Sequence, residues 1–102
     1  MPYRKVAATS EVPAGRGRCI SSQGKSIAVF NVDNGYYAID EICPHKGGPL
    51  ADGTVNGLEV KCPWHGAVFS LQDGSGKDGP CGNGVRRYNT RVVDKNIEIE
   101  LP

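Results

Sequence analysis

The sequence predicts an all-β domain, and three observations carry that prediction. Valine and isoleucine together number 16 against four leucines, a balance that suits pleated sheet better than helix. Glycine and proline account for 21 of the 102 residues and are spread along the whole chain, so turns recur throughout. No segment sustains a helical apolar period for more than a turn or two. A chain of 102 residues has room for one core, so a single domain over residues 1–102 is expected.

In chain order, Cys19 beside Ile20 reads as a core position in a strand. Ser26 to Val32 alternates through Ile27, Val29 and Val32, and Asp33-Asn34-Gly35 turns it back into Tyr36-Tyr37-Ala38-Ile39 as a hairpin. Asp40 and Glu41 follow and read as ordinary polar exposure. Asn56-Gly57 separates Thr54-Val55 from Leu58-Glu59-Val60 and predicts a second hairpin. The stretch 73–84 is too rich in glycine for regular structure and longer than a turn requires. At the end, Ile97, Ile99 and Leu101 alternate with Glu98 and Glu100, the period-two pattern of a strand with one wet face, paired through Asp94-Lys95-Asn96 to Arg91-Val92-Val93.

Charge and composition exclude several functions. Twelve basic residues nearly cancel eleven acidic ones, which leaves no basic sheath for nucleic acid or for an anionic bilayer. No apolar run approaches the ~20 residues of a membrane helix, and no signal-type stretch follows Met1 to Lys5. A soluble, cytoplasmic, monomeric protein is the expectation. A reducing compartment turns the four cysteines toward metal binding or free thiols, with a Cys19 to Cys81 disulfide as the alternative for that pair. Only two histidines exist, so a metal site using both leaves none for a catalytic Ser-His or Cys-His pair.

Those histidines sit in two segments, Cys43-Pro44-His45-Lys46-Gly47-Gly48 and Cys62-Pro63-Trp64-His65-Gly66. Each offers one thiolate and one imidazole, a donor set that admits zinc or an iron-sulfur cluster. Zinc sites usually pair cysteine with cysteine and histidine with histidine on separate arms, whereas here each arm is mixed. Mixed arms suit two irons bridged by two sulfides, with both thiolates on one iron and both imidazoles on the other. A structural zinc module that acts by binding a partner is the rival reading.

Cys-x-His, sixteen residues, then Cys-x-x-His resembles the signature of the Rieske [2Fe-2S] family, with its surrounding glycines and prolines. The resemblance implies an antiparallel β-sandwich bearing a small inserted cluster-binding subdomain at about residues 42–70, covered by a proline-containing loop at about 73–84. It implies one 2Fe-2S cluster held by Cys43, His45, Cys62 and His65. Neutral imidazoles on one iron leave the cluster less negative than four thiolates would, which raises its potential above that of plant-type ferredoxins. High-potential Rieske proteins carry a disulfide pair where Gly48 and Trp64 stand here, and a serine and a tyrosine where Ala67 and Phe69 stand. Two hydroxyl donors to the cluster are therefore missing, and the low end of the Rieske range, about −150 to +300 mV, is expected.

The low-potential, single-domain form resembles the ferredoxins of multicomponent aromatic-ring dioxygenases. By that resemblance the protein is no enzyme itself. It would carry one electron from a flavin-dependent reductase to a terminal oxygenase, or serve as the cluster-bearing small subunit of another oxidoreductase such as nitrite reductase. Gly47, Gly48 and Gly66 either bring backbone N–H groups close to the cluster or serve turn geometry alone. Pro44 and Pro63 stiffen the loops. Trp64 either docks a partner or packs beneath the covering loop. Lys46 and Lys61 either steer an acidic partner or lie solvated, and Cys81 reads as a thiol filling a small pocket.

Overall fold

The computed structural model describes residues 3–22, 24–33, 35–42, 49–64, 66–79 and 84–101. These form eleven strands in three antiparallel sheets, with two short 3-10 turns at Thr9–Glu11 and Leu50–Asp52 and no α-helix among them. The first sheet runs β1 (Tyr3–Ala8), β11 (Asn96–Glu100), β10 (Thr90–Val93). The second runs β2 (Gly17–Ser22), β3 (Lys25–Val32), β4 (Gly35–Asp40), β9 (Arg87–Tyr88). The third runs β5 (Thr54–Asn56), β6 (Glu59–Lys61), β7 (Val68–Ser70), β8 (Gly76–Asp78). The all-β expectation holds. Because β4 and β9 are neighbours in the second sheet, the whole third sheet is an insertion between them.

The three predicted hairpins form, with turns trimmed by register. Val32 pairs with Gly35, so the first loop is two residues long and begins at Asp33 with φ of 52°. Asn56 pairs with Glu59, which moves the second loop one residue on, to Gly57-Leu58. In the third, Val93 pairs with Asn96, leaving Asp94 and Lys95 as the turn with φ of 51° and 65°. Two consecutive left-handed residues match the right-handed twist of the flanking strands, and the tight turn imposes them even without glycine.

β3 is the hinge of the packing because it is buried on both faces. Ile27 and Val29 enter one core with Val12, Ile97, Ile99 and Leu101. Ala28, Phe30 and Val32 enter another with Leu50, Val60, Phe69 and Leu71. Period two assigns Val32 to the face opposite Ile27 and Val29, so the single alternating stripe expected from the sequence is two stripes.

Two further expectations are corrected. Cys19 is exposed, because neighbouring Ile20 takes the inward face of β2. The glycine-rich stretch contains a strand, β8, whose ladder to β7 shifts register between Val68 and Phe69. Backbone hydrogen bonds need no side chains, so glycine can join a ladder, and the shift in register is the irregularity that glycine in a strand often marks. No helix among the described residues is long and apolar enough to cross a membrane.

Candidate metal centre

The second motif occupies the connection between β6 and β7. Lys61 pairs with Val68, and the six residues between them close on themselves: the Cys62 N–H donates to the Ala67 carbonyl at 2.7 Å, and the Gly66 N–H to the Cys62 carbonyl at 3.2 Å. Gly66 sits at φ of 75°, a left-handed conformation that glycine adopts without strain. Cys62 is 2% exposed and packs in the core with Leu50, Val60, Ala67 and Phe69. It forms no disulfide. Trp64, two residues on, is 57% exposed. One turn thus sends a thiol inward and an indole out to water.

The first motif, Cys43 to Gly48, lies outside the described residues, as do His65, Pro80 and Cys81. The frame around that segment is described. Ile42 bridges to Pro49, and the Leu50 N–H donates to the Glu41 carbonyl at 2.9 Å, so the described residues on the two sides of the first motif are paired. From there the chain passes Gly53, whose α-carbon lies so close to the Lys61 carbonyl that no side chain fits, and pairs Thr54 with Lys61 immediately before Cys62. The base of the first motif is therefore next to the base of the second.

The stretch from 73 to 84 meets the second of these motifs. A Cβ on Gly79, at φ of 73°, would stand 3.1 Å from the Gly66 carbonyl and 3.2 Å from the Ala67 Cα. Beyond the undescribed residues 80–83, the Val85 N–H donates to the Gly74 carbonyl at 2.8 Å. The stretch is thus pinned against the Cys62 turn on one side and against its own start on the other.

Two residues that sequence reasoning took for surface polarity are built into this frame. Glu41 is 7% exposed, and its Oε1 accepts the Ala51 N–H at 2.7 Å. Burial pushes its carboxyl up, only partly offset by the Ala51 N–H and by the Cys19 thiol that bonds to it. Asp40 accepts the Tyr88 hydroxyl at 2.7 Å and the Arg86 N–H at 3.1 Å. Burial, then the hydrogen bond to Asp40, pushes the Tyr88 phenol up to about 12. The one signal that could have found the two acids is their position, directly ahead of a ligand motif. Desolvation, then the nearby Glu41 carboxylate, pushes the Cys19 thiol up as well, which keeps it from acting as a thiolate at neutral pH.

The donor set suits an iron-sulfur cluster on the evidence of Cys62: a buried, unbridged sulfur at the inner end of a closed loop, in a chain whose remaining candidate donors are one cysteine and two histidines in matching motifs. The Rieske [2Fe-2S] domain model matches residues 3–89, and the chain belongs to the Rieske [2Fe-2S] domain family. Its cofactor is one Rieske 2Fe-2S cluster. The chain is 33% identical over 98 residues to ferredoxin CarAc of Metapseudomonas resinovorans, covering 95% of this chain and 92% of that one. It superposes on the ferredoxin of carbazole 1,9a-dioxygenase from Nocardioides aromaticivorans with a TM-score of 0.93 at 25% identity, over 100% of both chains. A chain from the complex of reduced oxygenase and oxidized ferredoxin in carbazole 1,9a-dioxygenase matches with a TM-score of 0.87 at 27% identity, over 98% of this chain and 97% of that one.

Proposed function

We propose that the protein is a one-electron carrier that accepts electrons from a flavin-dependent reductase and delivers them to a terminal oxygenase, and that it does so as a cytoplasmic monomer. The observation that carries the reading is end-to-end correspondence with ferredoxins of dioxygenase systems. In this reading Cys43 and Cys62 hold one iron, and His45 and His65 hold the other. The bound cluster supplies a site that gains and loses one electron.

The chain's own residues set the conditions for transfer. Buried Cys62 fixes the protein end of the site. Exposed Trp64, adjacent to His65, offers a flat apolar contact at the outer end, which loses little side-chain entropy when a partner covers it. Ala67 and Phe69 are both buried and present no hydroxyl, so the reduced state gains no stabilisation there and the potential falls low in the family's range. Rigid closure of residues 62–67 by their own backbone limits reorganisation as the charge changes.

Metal analysis and turnover test the reading together. The purified protein is expected to hold two irons and two acid-labile sulfides per chain, to give a rhombic EPR signal on reduction, and to show a midpoint below the standard hydrogen electrode. It should then mediate electron flow from a flavin reductase to a Rieske oxygenase. One zinc per chain without iron, or a full cluster that neither partner turns over, overturns the reading.

A further inference from the structure

We propose that Asp40 and Glu41 are positioning residues that clamp the two sides of the cluster site to the end of β4, Asp40 holding the exit of the 73–84 stretch and Glu41 the return limb of the first ligand segment. The inference rests on the family assignment and extends it to residues outside the ligand motifs. Asp40 ends β4 and Glu41 follows it directly, and the two adjacent acids reach two different pieces of chain.

Asp40 uses three groups on one target. Its N–H donates to the Arg86 carbonyl at 3.0 Å, Oδ2 accepts the Arg86 N–H at 3.1 Å, and Oδ1 accepts the Tyr88 hydroxyl at 2.7 Å. The Arg86 guanidinium lies 5.5 Å from the centre of the Tyr88 ring and closes the arrangement from above. The segment so held begins two residues after Gly84, a glycine whose φ of 80° and contacts with Gly74 and Gly76 leave no space for a side chain. Gly79 is thus seated on the Cys62 turn, and the segment from Arg86 is fastened to Asp40.

Glu41 uses three groups as well. Its N–H donates to the Ser26 carbonyl at 3.1 Å, which ties it to β3. Its carbonyl accepts the Leu50 N–H at 2.9 Å and its Oε1 the Ala51 N–H at 2.7 Å, so one residue grips two successive amides on the far side of the first motif. Exposed acids are cheap, whereas a buried carboxylate costs desolvation unless its partners are fixed. Spending that cost on the entry to the ligand segment is explained by what it positions.

The test compares side chains that keep an acceptor with those that lose it, in the cluster-loaded protein. Glu41→Gln keeps an oxygen for the Ala51 N–H, and Glu41→Met keeps the size without it. Tyr88→Phe removes one donor to Asp40, and Asp40→Ala removes both acceptors. Release of iron to a chelator is expected to quicken about tenfold in Glu41→Met and Asp40→Ala and about threefold in Tyr88→Phe, and to stay within about twofold of wild type in Glu41→Gln. The spread of EPR g values should change in the same order, a signature that loss of global stability does not produce.

Release and EPR unchanged in Tyr88→Phe overturn the Asp40 clamp, and Glu41→Gln releasing iron as fast as Glu41→Met overturns the acceptor role of Glu41. If Glu41→Met or Asp40→Ala fails to fold, the Tyr88→Phe and Glu41→Gln comparison with wild type decides alone. Absence of iron from the wild-type protein instead sinks the family reading, and the two failures are distinct.

Discussion

Ile99 and Gly74 are both held firmly, by different physics. Ile99 lies in the core between the first two sheets, with Ile27, Val29, Ile97 and Leu101, all fully buried and all on strands of five or more residues or directly beyond one. That core is secured by apolar area and by long ladders. Gly74 lies in the third sheet's territory, where no strand exceeds three residues and where its α-carbon abuts the Val85 carbonyl. Here, beside the core of Val60, Phe69 and Leu71, position is also set by glycines against carbonyls and by carboxylates on amides. A metal site needs backbone held at fixed places, and close backbone approach specifies place in a way that apolar area, which is non-directional, does not. The molecule puts its uninterrupted alternation away from the site and its short strands and glycines at it.

The sharpest way to break this contrast is to substitute one residue from each side. Ile99→Ala removes a fully buried side chain from the scaffold core and is expected to cost about 2–5 kcal/mol in urea unfolding, with hydrogen-exchange protection falling across all three sheets. Gly74→Ala forces a side chain onto the Val85 carbonyl at φ of 77° and is expected to cost about 1–3 kcal/mol. Its loss of protection should centre on the amides of 74–79 and 84–88 and spare β1 and β11. Equal loss everywhere in both variants would show one cooperative unit in place of two regions with different supports.

A smaller effect probes the seam between them. Tyr88 titrates at about 12 in the folded chain, against roughly 10 when unfolded. Between those values the unfolded chain loses a proton that the folded chain keeps, so stability falls as pH rises through that window. Tyr88→Phe is expected to flatten that part of the stability profile, measured by urea unfolding from pH 9 to 12. The smallest effect belongs to the exposed tip. Trp64→Ala should change stability by no more than about 0.5 kcal/mol and leave the visible spectrum intact, while slowing electron delivery to an oxygenase in stopped flow. Unslowed delivery would return the indole to the status of a bystander.

Much of this was legible in the residues. The hairpins at Asp33, Gly57 and Asp94 were visible because turn chemistry and alternation are local, and the family because the spacing of Cys-x-His and Cys-x-x-His along the chain is itself the signal. What escaped was non-local. Cys19 was assigned to the core and faces water, since its neighbour Ile20 took the inward face. Asp40 and Glu41 were assigned to water, yet they bind segments 46 and 10 residues away. Strand β8 was missed because its ladder depends on β7 lying alongside, and glycines carry no pattern that announces such pairing.

By itself the sequence determined the sheet class, the turn sites and the family, all of which follow from residue type and from short-range spacing. Tertiary structure decided which face of each strand became interior, that β3 would serve two cores, and that Glu41 would be buried and Asp40 half-buried against distant segments of the frame. The physical reason is that propensity and turn geometry act over a few residues, whereas burial and the pairing of buried polar groups depend on which distant segment arrives to cover them.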